Sequence, residues 1–186
     1  ARPPVRVAVE AMGLDDIPAV QVIERASFSA PWPANAYRTE LETNKLAHYL
    51  VVRVGSEIAG FAGMWRMYDE AHVTTIGVRR DQQHGGYGRI VFAALVQASY
   101  DLGARWITLE VRTSNEGAQR MYENFGFKVI GRRRGYYTDN GEDAIVMWSD
   151  SIYSPRFRKA FDANLARIDA DVAGLRRDPP LTRTDR

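Results

Sequence analysis

The glycine-rich segment Gln83-His84-Gly85-Gly86-Tyr87-Gly88-Arg89 has the composition of an anion-binding loop. It follows a strand-like run, residues 72–78, and precedes residues 90–102, whose apolar side chains recur at helical spacing. Glycines between a strand and a helix let several backbone N–H groups point at one anion without interference from Cβ atoms. The unpaired N–H groups and positive dipole end of the helix add to the attraction. The segment predicts a site for a phosphate-bearing ligand, although flexible surface loops use glycine as freely.

The glycine segment alone does not identify its ligand. No Lys-Ser or Lys-Thr pair follows the glycines, as the P-loop of nucleoside-triphosphate enzymes requires. A dinucleotide-binding fingerprint is also incomplete, because Ile90-Val91 stands where its third glycine belongs. The neighbouring elements are needed to make the prediction specific.

The elements around the loop occur in an order that predicts a mixed α/β domain. Asp139-Asn140-Gly141 predicts a hairpin turn between the last two strands, and Gly55-Ser56 predicts another near the start. The sequence patterns predict helices at about 16–28, 34–43, 90–102 and 115–125, and strands at 5–12, 48–54, 57–67, 71–78, 106–111, 127–137 and 143–148.

Length and composition exclude several classes of protein. The 186 residues suffice for one ordinary domain with an extension, and 45% hydrophobic residues suffice for a packed core. The lack of cysteine excludes disulfides, thiolate metal sites and a cysteine nucleophile. His48, His72 and His84 lack metal-ligand spacing, so no metal is expected. No apolar run approaches the ~20 residues of a membrane span and no signal-peptide pattern begins the chain, so a cytoplasmic protein without membrane contact is expected.

The net charge of +2 is unevenly distributed along the chain. Residues 156–186 hold eight Lys/Arg and five Asp/Glu, a charge of +3, which leaves 17 against 18, or −1, for residues 1–155. The body therefore lacks a basic field large enough for nucleic acid. Direct nucleic-acid binding is not expected.

The C-terminal part predicts an extension to the domain of residues 1–150. Ser154-Pro155 has the pattern of a helix start, and residues 151–177 are predicted as an amphipathic helix. This helix either packs on its own domain or binds a partner or second copy, leaving the chain a monomer or a dimer. Residues 178–186 are predicted to be disordered. The apolar stripe comprises Phe157, Phe161, Leu165, Ile168, Val172 and Leu175.

Seven segments, in the same order, resemble the GNAT acetyltransferases, and within them the RimI-type protein N-terminal acetyltransferases. The resemblance spans roughly Met12 to Trp148 and implies the GNAT fold, a mostly antiparallel central sheet with one splayed parallel pair, flanked by helices. The segments are Ala30-Pro31-Trp32, Asp69 to Ile76, Gln83 to Gly88, Leu109 to Asn115, Met121 to Phe127, Arg133 to Tyr137, and Glu142 to Ile145.

The resemblance implies acetyl-CoA as co-substrate. Ile76, Gly77 and Val78 would pair their backbone with the pantetheine arm, as an added strand does. His84, Gly85, Gly86, Tyr87, Gly88 and Arg89 would hold the pyrophosphate. Asn115 would contact the pantetheine.

Acetyl transfer from a thioester to an amine needs a base for the amine and an acid for the departing thiolate. By the match to the family, Glu110 would act as the base through a water molecule, and Tyr122 would act as the acid. The residues alone leave other interpretations open: Glu110 in a structural role, paired with Arg112 or another cation, and Tyr122 as a core residue. His72 either orders water near the amine or is structural.

Aromatic and acidic residues are candidates for an acceptor groove. Pro31, Trp32, Tyr136 and Tyr137 are expected to form its walls, although tyrosines on a hairpin are also common packing residues. Asp69-Glu70, expected near the same mouth, would favour a positively charged second residue in the acceptor peptide.

The sequence therefore predicts direct transfer of acetyl from acetyl-CoA to the N-terminal α-amine of a protein. The resemblance implies a ribosomal protein that begins with alanine. The same scaffold also serves acetylation of lysine or small amines. A non-catalytic acyl-CoA-binding module that works through its C-terminal helix is the alternative from another class.

Overall fold

The computed structural model describes residues 1, 3–28, 30–82 and 86–177, and within these ranges eight strands form one mixed sheet flanked by helices. The strand order is β6-β7-β5-β4-β3-β2-β1-β8. The elements are β1 Val7–Ala11, α1 Ile17–Ser27, α2 Ala36–Glu42, β2 Ala47–Val54, β3 Glu57–Met67, β4 Glu70–Val78, α3 Tyr87–Asp101, β5 Trp106–Arg112, α4 Glu116–Asn124, β6 Lys128–Arg133, β7 Ala144–Trp148, α5 Pro155–Ala166 and β8 Val172–Ala173.

The sheet confirms the predicted fold class. Strands β1 to β4 form an antiparallel meander, and β5, β7 and β6 form a second antiparallel set. The two sets meet where β4 runs parallel to β5, and this pairing covers only Glu70–His72 against Trp106–Thr108. Beyond it the two strands part, as the splayed pair of a GNAT fold does.

Two hydrophobic clusters cover opposite faces of the sheet. The larger contains α3 and α5 together with Leu109, Val111 and Tyr122. The smaller joins α1 and α2 to the other face and includes Tyr37 and Phe61. The alternation of side chains along β4 and β5 therefore decides which face of the sheet each site residue reaches.

A β-bulge in β4 marks the point where the two strands part. Met64 of β3 faces Val73, but the preceding Gly63 faces Thr75, so Thr74 is an extra residue on β4. A hydrogen bond of 3.1 Å joins the hydroxyls of Thr74 and Tyr49. Because a bulge bends its strand and increases its twist, β4 turns away from β5 directly after the paired segment.

The C-terminal extension differs from its prediction as one helix. Helix α5 ends at Ala166, and the chain turns so that Val172–Ala173 pairs in parallel with β1. The Arg177 guanidinium donates to the carbonyls of Leu165, Ile168 and Ala170, which caps the helix end. All six residues of the predicted stripe are buried in the main core, so the stripe packs on its own domain. The predicted disorder of 178–186 lies outside the described residues.

The last hairpin also differs from its prediction. Strand β6 ends at Arg133, so Tyr136 and Tyr137 lie in the connection of residues 134–143 and not in a strand. The predicted turn is present within this connection, where the Gly141 N–H donates to the Tyr137 carbonyl at 2.8 Å. The strand ends early because Asp143 accepts a bond from the Gly135 N–H at 2.9 Å, which replaces continued ladder pairing.

Gly77 has a packing role that its sequence context did not indicate. A Cβ atom at this position would lie 2.6 Å from Cε1 of Phe61, which is fully buried on the facing strand. Real Cβ atoms do not approach carbon so closely, so any larger residue would displace the ring.

We expect Gly77→Ala to lower the free energy of unfolding by about 1–3 kcal/mol, because the methyl group overpacks against Phe61. Urea denaturation of Gly77→Ala, Phe61→Leu and the double variant measures this. The Gly77→Ala penalty should shrink in the Phe61→Leu background, where the smaller side chain leaves room. An equal penalty in both backgrounds would exclude the Phe61 ring as its cause.

Candidate active site

A cleft of about 390 Å³ opens where β4 and β5 part. Its floor comes from Val73–Ile76 of β4 and Leu109–Arg112 of β5. One side is formed by Glu24 of α1 and the connection that follows it, and another by residues 136–139. Asn115 and Tyr122 close the side towards α4. The cleft therefore gathers residues from five regions that are far apart in sequence.

Glu110 lies in this cleft with two basic side chains beside it. Its side chain is 9% exposed, and Oε2 lies 2.7 Å from Nε2 of His72. An ionised carboxylate only accepts hydrogen bonds, so His72 donates. The Arg133 Nε lies 3.5 Å from Oε1. Burial raises the pKa of Glu110, but the bond from His72 and the charges of His72 and Arg133 outweigh it, so the pKa falls below its usual value.

Glu110 does not pair with Arg112 but with other basic groups, His72 and Arg133. Arg112 instead pairs with Asp139 and Glu142. The partner of Glu110 is His72, two residues before the bulge on the neighbouring strand. The structure thus joins two residues that the sequence analysis considered separately.

Tyr122 borders the same cleft from the other side. It is 4% exposed and packs against Phe92, with ring centroids 4.9 Å apart. Burial, followed by the nearby Tyr137, raises the pKa of its phenol above the usual value. The hydroxyl therefore remains a proton donor throughout the neutral range.

Glu110 and Tyr122 approach the cleft from opposite faces of the sheet. Leu109 and Val111, the neighbours of Glu110, belong to the core on the α3 face together with Tyr122. Alternation along the strand directs Glu110 to the α1 face. Because both residues border one cleft, the gap between β4 and β5 is the place where they can act on one molecule.

The parted edges of β4 and β5 present backbone groups to the cleft. Beyond His72, no described residue of β4 pairs with β5. Main-chain donors and acceptors on such an edge are satisfied by water or by an extended ligand that lies in the gap like a strand. This arrangement suits the predicted contact of Ile76, Gly77 and Val78 with a pantetheine arm.

Asn115 serves as the N-cap of α4 and also borders the cleft. Its Oδ1 accepts a bond from the Ala118 N–H at 3.2 Å. The cap occupies the carbonyl oxygen, which leaves the side-chain NH₂ group as the part suited to a ligand acceptor.

The glycine segment is described from Gly86 onward, and His84 and Gly85 lie outside the described residues. Gly86 precedes α3 with φ of 80°, a left-handed conformation that favours glycine. Tyr87, Gly88 and Arg89 form the first turn of the 15-residue helix. Its first N–H groups lack helical partners, which suits a phosphate.

Arg89 strengthens the fit of this region to a phosphate. Its Nε is buried and has no hydrogen-bond partner among the described parts of the chain. Burial, followed by the charge of Arg167, lowers the pKa of the guanidinium. An anion beside the first turn of α3 would relieve both effects, so these residues fit the pyrophosphate of CoA.

A salt-bridge cluster holds one wall of the cleft, and the sequence analysis did not identify it. Arg112 bonds to Asp139 at 3.0 Å and to Glu142 at 3.3 Å, and its guanidinium stacks 3.9 Å above the Tyr137 ring. Glu142 also accepts bonds from the Ser114 N–H and the Thr113 hydroxyl. Hydrogen bonding by the side chain and the backbone of Ser114, followed by Thr113 and Arg112, lowers the pKa of Glu142 to about 2. The 134–143 connection is thereby fastened to the end of β5.

The predicted groove residues are only partly brought together. Trp32, Tyr136 and Tyr137 border the cleft. Pro31 is exposed and, unlike its neighbour Trp32, does not line the cleft. Glu70 does not reach the cleft either, because it begins β4 at the end that pairs with Trp106. The expected effect of Glu70 on the second peptide residue therefore has no structural support.

A larger hollow of about 570 Å³ lies beside α1 but offers less chemistry. Its Arg53 is paired with Glu10 and Asp16, and its Arg79 with Glu57 and Asp81. These charges satisfy each other. The smaller cleft, with Glu110 and Tyr122, is the better candidate.

The described parts of the chain contain no group of three or more His, Asp or Glu side chains arranged to hold a metal ion. None of the helices in the described ranges is long and apolar enough to cross a membrane.

Sequence comparison identifies relatives along most of the chain. The family model described as Acetyltransferase (GNAT) family matches residues 17–127. A Bacillus subtilis protein, named provisionally as ribosomal protein bS18-alanine N-acetyltransferase, is 41% identical over 143 residues, which are 77% of this chain and 95% of that protein. The ribosomal protein bS18-alanine N-acetyltransferase of Escherichia coli K12 is 32% identical over 141 residues, 75% of this chain and 94% of that protein.

Structural comparison agrees with these relatives. The crystal structure of the ribosomal-protein-S18-alanine N-acetyltransferase from Escherichia coli superposes with a TM-score of 0.71 at 30% identity. The match covers 77% of this chain and 92% of that chain.

We expect Arg112→Lys to loosen residues 134–143, because lysine cannot bond to two carboxylates in a fork or stack flat on Tyr137. The free energy of unfolding should fall by about 1–2 kcal/mol. Amide hydrogen exchange should rise in residues 134–143 and remain unchanged in α3. Arg38→Lys, which alters an exposed helix pair, is the control. Unchanged exchange in 134–143 would show that Arg112 does not fasten this connection.

Proposed function

The chain belongs to the GNAT family of acetyltransferases and is an acetyl-CoA-dependent N-acetyltransferase, and we propose that its acceptor is the α-amine of a ribosomal protein that begins with alanine. Relatives at 41% and 32% identity, matched over nearly their whole length, carry names that state this substrate. Their similarity supports the proposed acceptor.

One observation carries the assignment of roles within the cleft. A carboxylate and a phenol border the same gap from opposite faces of the sheet. A transfer between two substrates that meet in this gap needs a proton acceptor on the side of the amine and a proton donor on the side of the thiolate. Glu110 and Tyr122 have the matching chemistry, and each borders the gap from its own face of the sheet.

Acetyl-CoA supplies the acetyl group as a thioester. In the proposed mechanism, Glu110 removes a proton from the incoming ammonium through a water molecule. His72 and Arg133 keep the carboxylate ionised and fix its direction. Glu110 is suited to this role because its lowered pKa leaves it deprotonated at neutral pH.

As the amine attacks, negative charge develops on the carbonyl oxygen and then on the sulfur. We assign polarisation of the carbonyl to backbone N–H groups of β4 near Gly77 and Val78. Tyr122 then donates its phenolic proton to the departing sulfur. The nitrogen loses its second proton as the amide forms, and this proton balances the one that Tyr122 gave up. In this proposal both substrates bind in the cleft that Glu110 and Tyr122 border, and acetyl passes directly between them in a ternary complex, without an acyl-enzyme.

An α-amine is an easier nucleophile than a lysine side chain at neutral pH. Its reference pKa is about 8, compared with about 10.4 for lysine. A single carboxylate acting through water can therefore complete the deprotonation of an α-amine far more readily than that of a lysine side chain.

Incubation with acetyl-CoA and a library of N-terminal peptides, read by mass spectrometry, tests the proposed acceptor. Modification confined to lysine side chains would refute it.

We expect Glu110→Gln and Tyr122→Phe each to lower kcat about a hundredfold, because each removes one proton-transfer group. Affinity for acetyl-CoA, measured by calorimetry, should stay within about twofold. Glu116→Gln and Tyr68→Phe, at exposed positions, are matched controls that should retain full activity. Wild-type rates in both cleft variants would contradict the assigned roles.

The pH dependence should distinguish the groups involved. Because Glu110 has a lowered pKa and Tyr122 a raised one, both keep their working protonation states from about pH 5 to 10. We expect kcat/KM for an alanine peptide to rise with pH and level off near the α-amine pKa, about 8. A rise of kcat/KM that continues towards about pH 10 would indicate a lysine acceptor. A decline of kcat/KM that sets in, with increasing pH, before about pH 9 would exclude Tyr122 as the acid.

A further inference from the structure

The chain between α1 and α2 forms one wall of the cleft, and its described residues, 28 and 30–35, make few backbone hydrogen bonds with one another. Pro31 and Pro33 have no N–H group to donate. Two side chains of α1, one turn apart, hold this segment in place. Gln21 donates to the Ala34 carbonyl at 2.9 Å, and Glu24 accepts a bond from the Trp32 N–H at 3.1 Å.

Glu24 is the buried member of this pair. It is 2% exposed, and its second oxygen accepts a hydrogen bond from the Tyr37 hydroxyl. The ring of Trp32 stacks on that of Tyr37 with centroids 5.0 Å apart and planes 28° apart. One carboxylate thus fixes both the backbone and, through Tyr37, the ring of the tryptophan that borders the cleft.

Burial of a carboxylate costs solvation free energy. Removal from water disfavours its charged form and raises the pKa of Glu24, and the bonds from Tyr37 and Trp32 only partly offset this. An apolar residue of similar volume generally packs at such a site with less loss of solvation. A requirement for stability alone therefore does not account for glutamate here, whereas a requirement for one fixed geometry does.

Glu24 differs from Glu110 although both border the cleft. Glu110 lines the floor of the cleft and pairs with His72 and Arg133, whereas both oxygens of Glu24 bind groups within the wall itself. Glu24 is therefore suited to hold the wall and not to exchange protons with a substrate.

We propose that Glu24 is a positioning residue of the acceptor cleft, which holds Trp32 and Tyr37 in the arrangement that the first residues of the acceptor peptide require. The proposal rests on the proposed function, since it takes this cleft as the acceptor site. Its effect should appear in peptide binding, because the cofactor lies along the parted strands and the first turn of α3.

The test compares Glu24→Leu, Glu24→Gln and the control Glu42→Gln, which changes an exposed glutamate of α2. Leucine removes both acceptors, so KM for an alanine peptide should rise about tenfold while kcat and the Kd for acetyl-CoA stay within about twofold. Glutamine retains an acceptor for the Trp32 N–H, so its KM should rise less. Glu42→Gln should match the wild type.

Amide hydrogen exchange at Trp32 gives a readout that does not depend on turnover. The Trp32 N–H should be protected in the wild type and in Glu24→Gln, and exposed in Glu24→Leu. A folded Glu24→Leu variant with wild-type KM, or with a protected Trp32 amide, would overturn the proposal. If leucine prevents folding, a wild-type KM in Glu24→Gln would overturn it instead.

The two proposals fail separately. If the wild-type protein acetylates no N-terminal peptide, the proposed function is wrong, and Trp32 exchange still decides whether Glu24 holds the wall. If the wild-type protein is active and the Glu24 variants show only lower thermal stability with unchanged KM, Glu24 is structural and the proposed function stands.

Discussion

The brevity of the parallel pairing between β4 and β5 is the constraint on which the site depends. Three residues of each strand pair, and then the extra residue Thr74 bends β4 away. A complete ladder would bury the facing backbone groups and close the cleft. The gap instead leaves a free strand edge for an extended ligand and admits side chains from both faces of the sheet. Glu110 and Tyr122 lie on opposite faces of the sheet, and both border this gap.

The open gap requires walls that do not collapse into it, and polar anchors provide them. On one side Arg112 joins the 134–143 connection to the end of β5 through Asp139 and Glu142. On the other side Glu24 holds the proline-containing segment through Trp32. Hydrogen bonds and ion pairs suit this purpose because their geometry is directional, whereas apolar packing would favour closure of the cleft. The cleft is thus a polar framework set between two hydrophobic cores.

The C-terminal extension contributes to the domain itself. Helix α5 covers the core beside α3 and α4, and the chain then adds a short strand to the far edge of the sheet. Gln97 of α3 bonds to the Gly174 carbonyl and the Arg176 N–H, which fixes this return. The apolar stripe, which was also compatible with a partner-binding helix, is buried in this packing. The extension therefore supports α3, the helix whose first turn faces the expected phosphate.

The sequence by itself indicated most of the element types and the glycine segment before α3, because periodicity and glycine placement are local properties. The candidate pair Glu110 and Tyr122 came from the resemblance of its motifs, in their order, to a known family. The tertiary structure decided the partners. It paired Glu110 with His72 and not with Arg112, and it placed Glu70 away from the cleft. It also ended α5 at Ala166. These outcomes depend on strand register and on contacts between residues far apart in the chain, and local patterns do not encode them.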